Sequence, residues 1–161
     1  MGGQKNPTTM SNKIVKVLFS VYSELMEQEI TEIMSAEIAN ADLSHYKILS
    51  IPFYVPLISS GDIVYAPYDD DQGMPKYIET VDPSGNSNIW VVITDDQSDI
   101  DNIRTHFSEM DCPSEVVSDR FFAMNIKATA NYLKVRNKLQ ELKSEGILDY
   151  SESSLAEIHQ Y

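Results

Sequence analysis

The spacing of the apolar residues changes at Asp95, and this change constrains the fold more than any other feature. Before Asp95, short β-branched apolar segments alternate with turns, as is typical of strands. After it, apolar residues recur at the three- and four-residue intervals of a helix, at Ile100, Ile103, Phe107 and Met110. The order predicts an α+β fold: an antiparallel, strand-rich, barrel-like part to about residue 94, then a β-α-β-α layer. At 161 residues, we expect both parts to form a single domain with one shared core.

The first part contains several segments with the composition of strands. They are Ile14–Val21, Tyr46–Leu49, Ile63–Ala66, Lys76–Val81 and Ile89–Thr94. The segment 24–38 fits either a helix or a strand, because its apolar residues satisfy both periods. Pro52 and Pro56 remove backbone donors, so we expect Ile51–Ile58 to be extended but irregular.

The predicted helices lie in the second part of the chain. The first follows an N-cap at Asp95, Asp96 or Ser98, and the second runs over Ala130–Ser144, from a cap at Thr129 to a stop at Gly146. The other predicted elements are a strand at Arg120–Ile126, an edge strand at Ile147–Tyr150 and a short terminal helix at Ser153–His159.

The N-terminal residues have neither the composition of a core element nor that of a targeting signal. Residues 1–12 are polar, and Met10 resembles a natural start, so we expect a leader, disordered or added artificially, before a single domain over 13–161. No apolar run approaches the ~20 residues that span a bilayer. The chain has one cysteine, Cys112, which is typical of a reducing compartment. Together these features predict a cytoplasmic protein that does not contact membranes.

The charge is strongly negative. The chain has 12 Lys and Arg against 25 Asp and Glu, a formal net charge of −13. Nucleic acids and anionic lipids are polyanions, so this balance argues against both as partners. It favours association with a basic protein, although plain solubility also explains an acidic composition.

Known catalytic and metal-binding patterns are missing from the sequence. The histidines His45, His106 and His159 are far apart and form no metal-ligand pair, and no serine lies in a nucleophile elbow. Cys112 has no base near it in sequence, so we interpret it as a small buried hydrophobe. We therefore expect no catalytic residues, no metal and no cofactor. An aspartate after glycine, Asp62, is best explained by a hydrogen bond that stabilises a turn.

The acids are unevenly distributed, which predicts a surface for a basic partner. One group surrounds the first predicted helix and another lies at a predicted turn. The candidate partner-binding residues are Asp69, Asp70, Asp71, Asp95, Asp96, Asp99, Asp101, Glu109 and Asp111. A solvated acidic helix and turn explain the same pattern, and both interpretations stay open.

Five short stretches are similar, in order and spacing, to a bacterial family of small proteins known only as a domain of unknown function. The family reads roughly Glu-Ser-Leu-Trp-Ala-Glu, Asn-Ile-Pro-Phe-Phe, Gly-Asp-Val-Val, Ser-Gly-His and Leu-Gly-Cys. The matching stretches, within about residues 14–155, are Glu32–Glu37, Ser50–Tyr54, Gly61–Val64, Ser84–Asn86 and Met110–Cys112. Ser35 and Asn86 replace the family's tryptophan and histidine, so chemistry that needs this histidine is lost. The resemblance implies a strand over 31–38 and implies no activity.

These observations predict a non-enzymatic acidic protein that binds a basic protein. Its sharpest form is an immunity protein that covers the surface of a bacterial toxin, such as a contact-delivered nuclease. The alternative is an enzyme or small-ligand protein with a pocket between the two parts, lined by Ser50–Pro56 and Asp62. A self-associating subunit is a third hypothesis.

Overall fold

The structure is a computed structural model that describes residues 13–24 and 26–161, so the predicted leader lies outside the described residues. The described chain is mostly β-sheet. Its strands are β1 (Ile14–Ser23), β2 (Gln28–Asn40), β3 (His45–Ile48), β4 (Ile63–Tyr65), β5 (Tyr68–Asp69), β6 (Met74–Pro75), β7 (Glu79–Asp82), β8 (Ser87–Ile93), β9 (Ser114–Val116), β10 (Phe121–Ile126) and β11 (Leu148–Ser154). The helices are α1 (Ile100–Ser108), α2 (Tyr132–Ser144) and a 3-10 turn, Glu157–His159. None of the described helices is long and apolar enough to cross a membrane.

The first sheet has the order β1-β2-β3-β4-β7, and each neighbouring pair is antiparallel. The ambiguous segment 24–38 therefore contains a strand, β2, which pairs with β1 along ten positions from Ile14–Glu37 to Ser23–Gln28. Alternate residues of this hairpin face inward, because successive side chains of a strand point to opposite faces. The first sheet is curved. The amide of Tyr77, between β6 and β7, donates to the carbonyl of Leu18 in β1 at 2.8 Å.

The second sheet shows that the predicted β-α-β-α layer is wrong. Its order is β11-β8-β10-β9, all neighbours are antiparallel, and the chain order is β8-α1-β9-β10-α2-β11. Each helix therefore joins two strands that lie on either side of a third. The prediction missed β9, whose three residues contain one apolar side chain, Val116, and no alternation. The predicted terminal helix is also wrong, since Ser153 and Ser154 belong to β11 and only one 3-10 turn follows.

The predicted single shared core is wrong as well. The buried hydrophobic residues of the described chain form two clusters. One lies inside the first sheet around Phe19 and Met34, and the other between the second sheet and its helices around Phe107, Phe122 and Leu139. Buried polar residues lie between the clusters, among them Asn88, Asn125 and Ser153. These three residues belong to neither apolar cluster.

The helix ends differ from prediction at their starts. The N-cap of α1 is Asp99, which accepts from the amide of Asp101, and the N-cap of α2 is Asn131. Both caps follow the candidates that the sequence suggested, a shift of the size that helix ends commonly show. The predicted stop at Gly146 is confirmed: this residue has φ 76° and its amide donates to the carbonyl of Lys143 at 3.0 Å.

Candidate binding surface

Two of the stretches that carry the family resemblance are joined by one carboxylate. Glu32 of β2 accepts hydrogen bonds from three successive backbone amides, those of Phe53 (2.8 Å), Tyr54 (3.0 Å) and Val55 (3.0 Å). Pro52 and Pro56 exclude this loop from a regular strand ladder, so its amides need other acceptors. Glu32 therefore fixes the loop, and with it the ring of Tyr54, against the end of the first sheet.

Two further stretches meet at Asp62. Its carboxylate accepts from the amide of Ser59 at 3.0 Å and from the amide of Ser84 at 2.8 Å. Burial raises the pKa of Asp62, and the hydrogen bonds from Ser84 and Ser59 oppose that rise. Asn86 links Ser60 to the amide of Ala128: its side-chain amide donates to the carbonyl of Ser60, and its side-chain oxygen accepts from Ala128. The interpretation of Asp62 as a residue that stabilises a turn agrees with this geometry.

The seam between the two halves is held by polar contacts to Pro52. Its carbonyl accepts from the side-chain amide of Asn88 at 2.9 Å and from the indole N–H of Trp90 at 3.0 Å. Both donors lie on β8, on the face of the second sheet that is turned away from the helices. The indole edge of Trp90 is therefore anchored inward, while part of its ring stays accessible.

The pocket predicted between the halves is not a single site. Ser50 and Tyr54 line a cleft of about 650 Å³ with Glu32 and Asn125, whereas Asp62 lines another of about 710 Å³. The carboxylate of Asp62 is already occupied by backbone amides. Asp62 and Ser50–Tyr54 therefore line different clefts of the described chain, and the small-ligand site stays a prediction.

A third cleft at the seam is almost entirely apolar, and we call it the aromatic groove. It encloses about 540 Å³. Its walls come from the end of the β1–β2 hairpin, the loop fixed by Glu32 and the exposed face of the second sheet; the principal side chains are Tyr22, Met26, Phe53, Tyr54, Trp90 and Phe121. The rings of Tyr54 and Phe121 lie with their centroids 6.4 Å apart.

The aromatic groove continues over the second sheet. A shallower depression of about 430 Å³ shares Trp90 and Phe121 with it and extends to Val92 and Asp149. Val92 lies directly between Phe121 and Asp149 in the strand register. The two depressions together form an apolar strip that crosses from one half of the molecule to the other.

Most of the acids predicted to surround α1 have local structural roles. Asp95 accepts from the hydroxyl of Ser98 and the amide of Gln97, and these bonds lower its pKa. Three others act nearby: Asp96 pairs with Arg120, Asp99 caps α1, and Asp101 pairs with Arg104 at 3.3 Å. The contacts of these four acids stabilise the local structure, which weakens the case for them as a partner surface.

Glu109 and Asp111 have no such role in the described part of the chain. Glu109 is the C-cap of α1, and Asp111 follows with a positive φ of 63°. Both are exposed, and no hydrogen bond or ion pair of their side chains is observed among the described residues. A carboxylate beside the negative end of a helix dipole is unfavourable. These two acids are therefore poorly explained by the stability of α1.

The predicted aspartate tip lies between β5 and β6, in the other half of the molecule. Asp69 accepts from the amides of Asp71 and Gln72, which forms the turn. Asp70 and Asp71 are exposed, and neither side chain has an observed hydrogen bond in the described chain. Of the nine predicted partner-binding residues, five are thus used locally and four leave their carboxylates to solvent.

Two other reactive side chains, those of His159 and Cys112, are buried. The side chain of His159 is buried beside Tyr132, its Nδ1 lies 2.7 Å from the hydroxyl of Ser87, and desolvation lowers its pKa. Burial, with a smaller contribution from Asp111, raises the pKa of Cys112 to about 12. The interpretation of Cys112 as a buried hydrophobe is confirmed. Within the described residues no three His, Cys, Asp or Glu side chains converge as metal ligands.

Sequence reasoning missed the aromatic groove. On strand β10, Phe122 is fully buried, whereas Phe121 is partly exposed in the groove. The available signal was the alternation in β8, where Ile89, Val91 and Ile93 face the helices. The residues between them, Trp90 and Val92, therefore belong to the opposite face.

Comparisons with known proteins place the chain in a family and a fold. A model of the family described as a domain of unknown function, DUF4265, matches residues 32–150, which confirms the prediction of a family without known activity. No curated protein matches. A solved structure of a hypothetical protein from Neisseria gonorrhoeae is similar, with 21% identity, a TM-score of 0.77 and coverage of 91% of this chain and 99% of that one. At this identity the likeness shows the fold alone.

Proposed function

The chain belongs to the DUF4265 family, which has no known function, and from this premise we propose that it is a non-enzymatic protein that binds a basic protein partner. The formal net charge of −13 supports the proposal, because a field of this sign accelerates encounters with a positively charged surface. It also opposes binding to nucleic acids and anionic membranes.

The observation that carries the proposal is the position of Glu109 and Asp111. Charges of this sign at a helix C-terminus cost about 0.3–1 kcal/mol each at an exposed site. Four neighbouring acids cap, pair or close turns with their side chains, but no such contact of the Glu109 and Asp111 carboxylates is observed among the described residues. Residues that lower stability and remain accessible are better explained by an interaction than by folding.

The sharpest form of the proposal is an immunity protein that neutralises a toxin. A nuclease toxin has to bind a polyanion, so its active surface is basic. An acidic inhibitor would be steered to the same surface and cover it. No reactive residue is required of the inhibitor. The cognate toxin would be encoded by the neighbouring gene and would be the first partner to test.

The experiment measures the rate of association with that toxin domain at several salt concentrations. If the net charge of −13 accelerates association about a thousandfold, removing two of these charges lowers the association rate about threefold. We expect the double variant Glu109→Gln, Asp111→Asn to show this loss and a weaker salt dependence. The acids that cap or pair are left in place so that folding is not disturbed.

A matched control changes the same net charge elsewhere. Asp70→Asn with Asp71→Asn removes two exposed carboxylates from the β5–β6 tip, in the other half of the molecule. A smaller effect of this control would place the contact near α1. Equal effects would mean that the charge acts without a defined acidic face. No complex with the neighbouring toxin, together with pull-downs that recover acidic partners, would refute the proposal.

A further inference from the structure

We infer that the aromatic groove is the docking site for a segment of the basic partner that carries apolar anchors between its positive charges. This inference rests on the proposed function, because the partner's charge is taken from it. It adds the place of contact and the chemistry of the contacting segment. The inference concerns the seam, and none of the predicted partner-binding acids around α1 is among the residues that line the groove.

The exposed rings of the groove are the first reason. The exposed fractions are 64% for Tyr22, 57% for Met26, 48% for Tyr54 and 46% for Val92. Single exposed apolar side chains are common, but a contiguous strip of them is typical of an interaction site. Tyrosine and tryptophan are also enriched among the residues that contribute most to protein binding.

The indole and backbone donors beside the groove are already satisfied, which is the second reason. The indole N–H of Trp90 donates to Pro52, and the amides of the Tyr54 loop donate to Glu32. Covering the rings therefore leaves none of these donors unpaired. The loop is held in place before any partner arrives, so less entropy is lost on binding than for a mobile loop.

The elongated shape and the charge of the strip select its occupant. Two depressions in succession, joined at Trp90 and Phe121, suit an extended chain better than a compact molecule. The charged residues that line them are Glu29 and Asp149, and no basic side chain is among the lining residues. The carboxylate of Asp149 is paired with Lys143 at 3.1 Å, so the negative charge offered to a partner comes from Glu29. Glu24 and Glu27 lie exposed at the adjoining hairpin tip. A segment with Lys or Arg beside apolar anchors complements this surface.

A second copy of the same chain is a poorer occupant. Two molecules with a formal charge of −13 each would repel one another. The acids beside the groove would also approach the corresponding acids of the other copy, because a twofold interface brings the same patch together.

The test uses the intact protein and three synthetic repeat peptides: Lys-Leu, Lys-Ser with the same charge, and Glu-Leu with the opposite charge. The chain has one tryptophan, Trp90, so its fluorescence reports directly on the groove. We expect the Lys-Leu peptide to bind and to shift the emission to shorter wavelength. The Lys-Ser and Glu-Leu peptides should bind at least about tenfold more weakly, a difference of roughly 1.4 kcal/mol.

Groove variants and a matched control locate the contact. Tyr22→Ser and Met26→Ser truncate exposed side chains, so folding should be preserved, and each should weaken the Lys-Leu peptide about tenfold. Leu133→Ser removes an equally exposed apolar side chain (62%) from α2 and should leave affinity within about twofold.

The outcomes separate the inference from the proposed function. Equal binding of the Lys-Leu and Lys-Ser peptides without a change in Trp90 emission would refute the groove as the docking site. A toxin complex unaffected by Tyr22→Ser and Met26→Ser would refute it as well. Neither result contradicts the proposed function. Tight binding of the Glu-Leu peptide at the groove would also refute the proposal that the partner is basic. A dimer of the protein alone that Met26→Ser dissociates would assign the groove to a second copy and overturn the inference.

Discussion

Replacing Glu32 by Gln tests how the loop beside the groove is held. The substitution keeps the shape of the side chain but turns one accepting oxygen into an NH₂ group. The remaining oxygen can serve Tyr54 and Val55, as Oε1 does now, which leaves the amide of Phe53 facing a donor. The change thus removes one charge-assisted hydrogen bond and makes two others neutral.

The magnitude follows from these three bonds. A hydrogen bond to a charged group contributes about 1.5–3 kcal/mol and a neutral one about 0.5–1.5 kcal/mol. Loss of one bond and weakening of two, with some replacement by water at the exposed Tyr54, predicts a decrease of about 2–4 kcal/mol in the free energy of unfolding. That is a large share of the stability of an ordinary domain.

The assay is urea unfolding followed by circular dichroism and by Trp90 fluorescence. Glu37→Gln on the same strand is the control, because no hydrogen bond of the Glu37 side chain is observed in the described chain. Glu32→Gln should lower the midpoint strongly, and Glu37→Gln should change the free energy by less than about 0.5 kcal/mol. Similar effects of the two substitutions would refute the structural role assigned to Glu32.

Two further predictions concern buried groups. Asp62→Asn leaves either the Ser59 or the Ser84 amide without its carboxylate acceptor and should lower the free energy of unfolding by about 1–3 kcal/mol; thermal melts that match the unsubstituted protein would contradict this. Because the pKa of His159 is lower in the folded protein than its ordinary 6.5, the unfolded chain binds the proton first as the pH falls. Stability should therefore decrease below about pH 6.5, and this component should be absent from His159→Gln; identical pH profiles from denaturant titrations would exclude it.

Local structure was largely predictable where periodicity and capping chemistry were strong. The strands β1, β8 and β10 and both helices follow from apolar spacing, and the end of α2 follows from Gly146. The helix predicted over Ser153–His159 is wrong for its first residues, which belong to β11. The strand β11 instead pairs with β8 through Ser154, and sheet pairing outweighed this weak local preference.

Sheet order and the binding surface could not be obtained in the same way. The strand β9 has too little apolar character to register as a strand, and without it the arrangement of the second sheet changes. The seam depends on contacts between distant residues, such as Glu32 with Tyr54 and Asn88 with Pro52. Neither pair has a local signature, so a groove built from three separate segments is invisible to spacing and composition.

The acids illustrate a different limit. Their density around α1 was visible in the sequence, but density does not distinguish a cap from a free carboxylate. Only the three-dimensional arrangement separates Asp99, which caps the helix, from Glu109, which lies at its opposite end. Whether either contacts a partner stays a prediction.

The separation of the two hydrophobic clusters has a consequence for how such a protein can diversify. Tyr22, Met26 and Tyr54 project from the seam and belong to neither cluster, so their replacement disturbs little interior packing. The exposed side chains of the groove can therefore be exchanged while Glu32 and Asn88 keep the two halves in register. If the proposed partner diverges in sequence, these side chains can change with it one at a time, and each step leaves a folded protein.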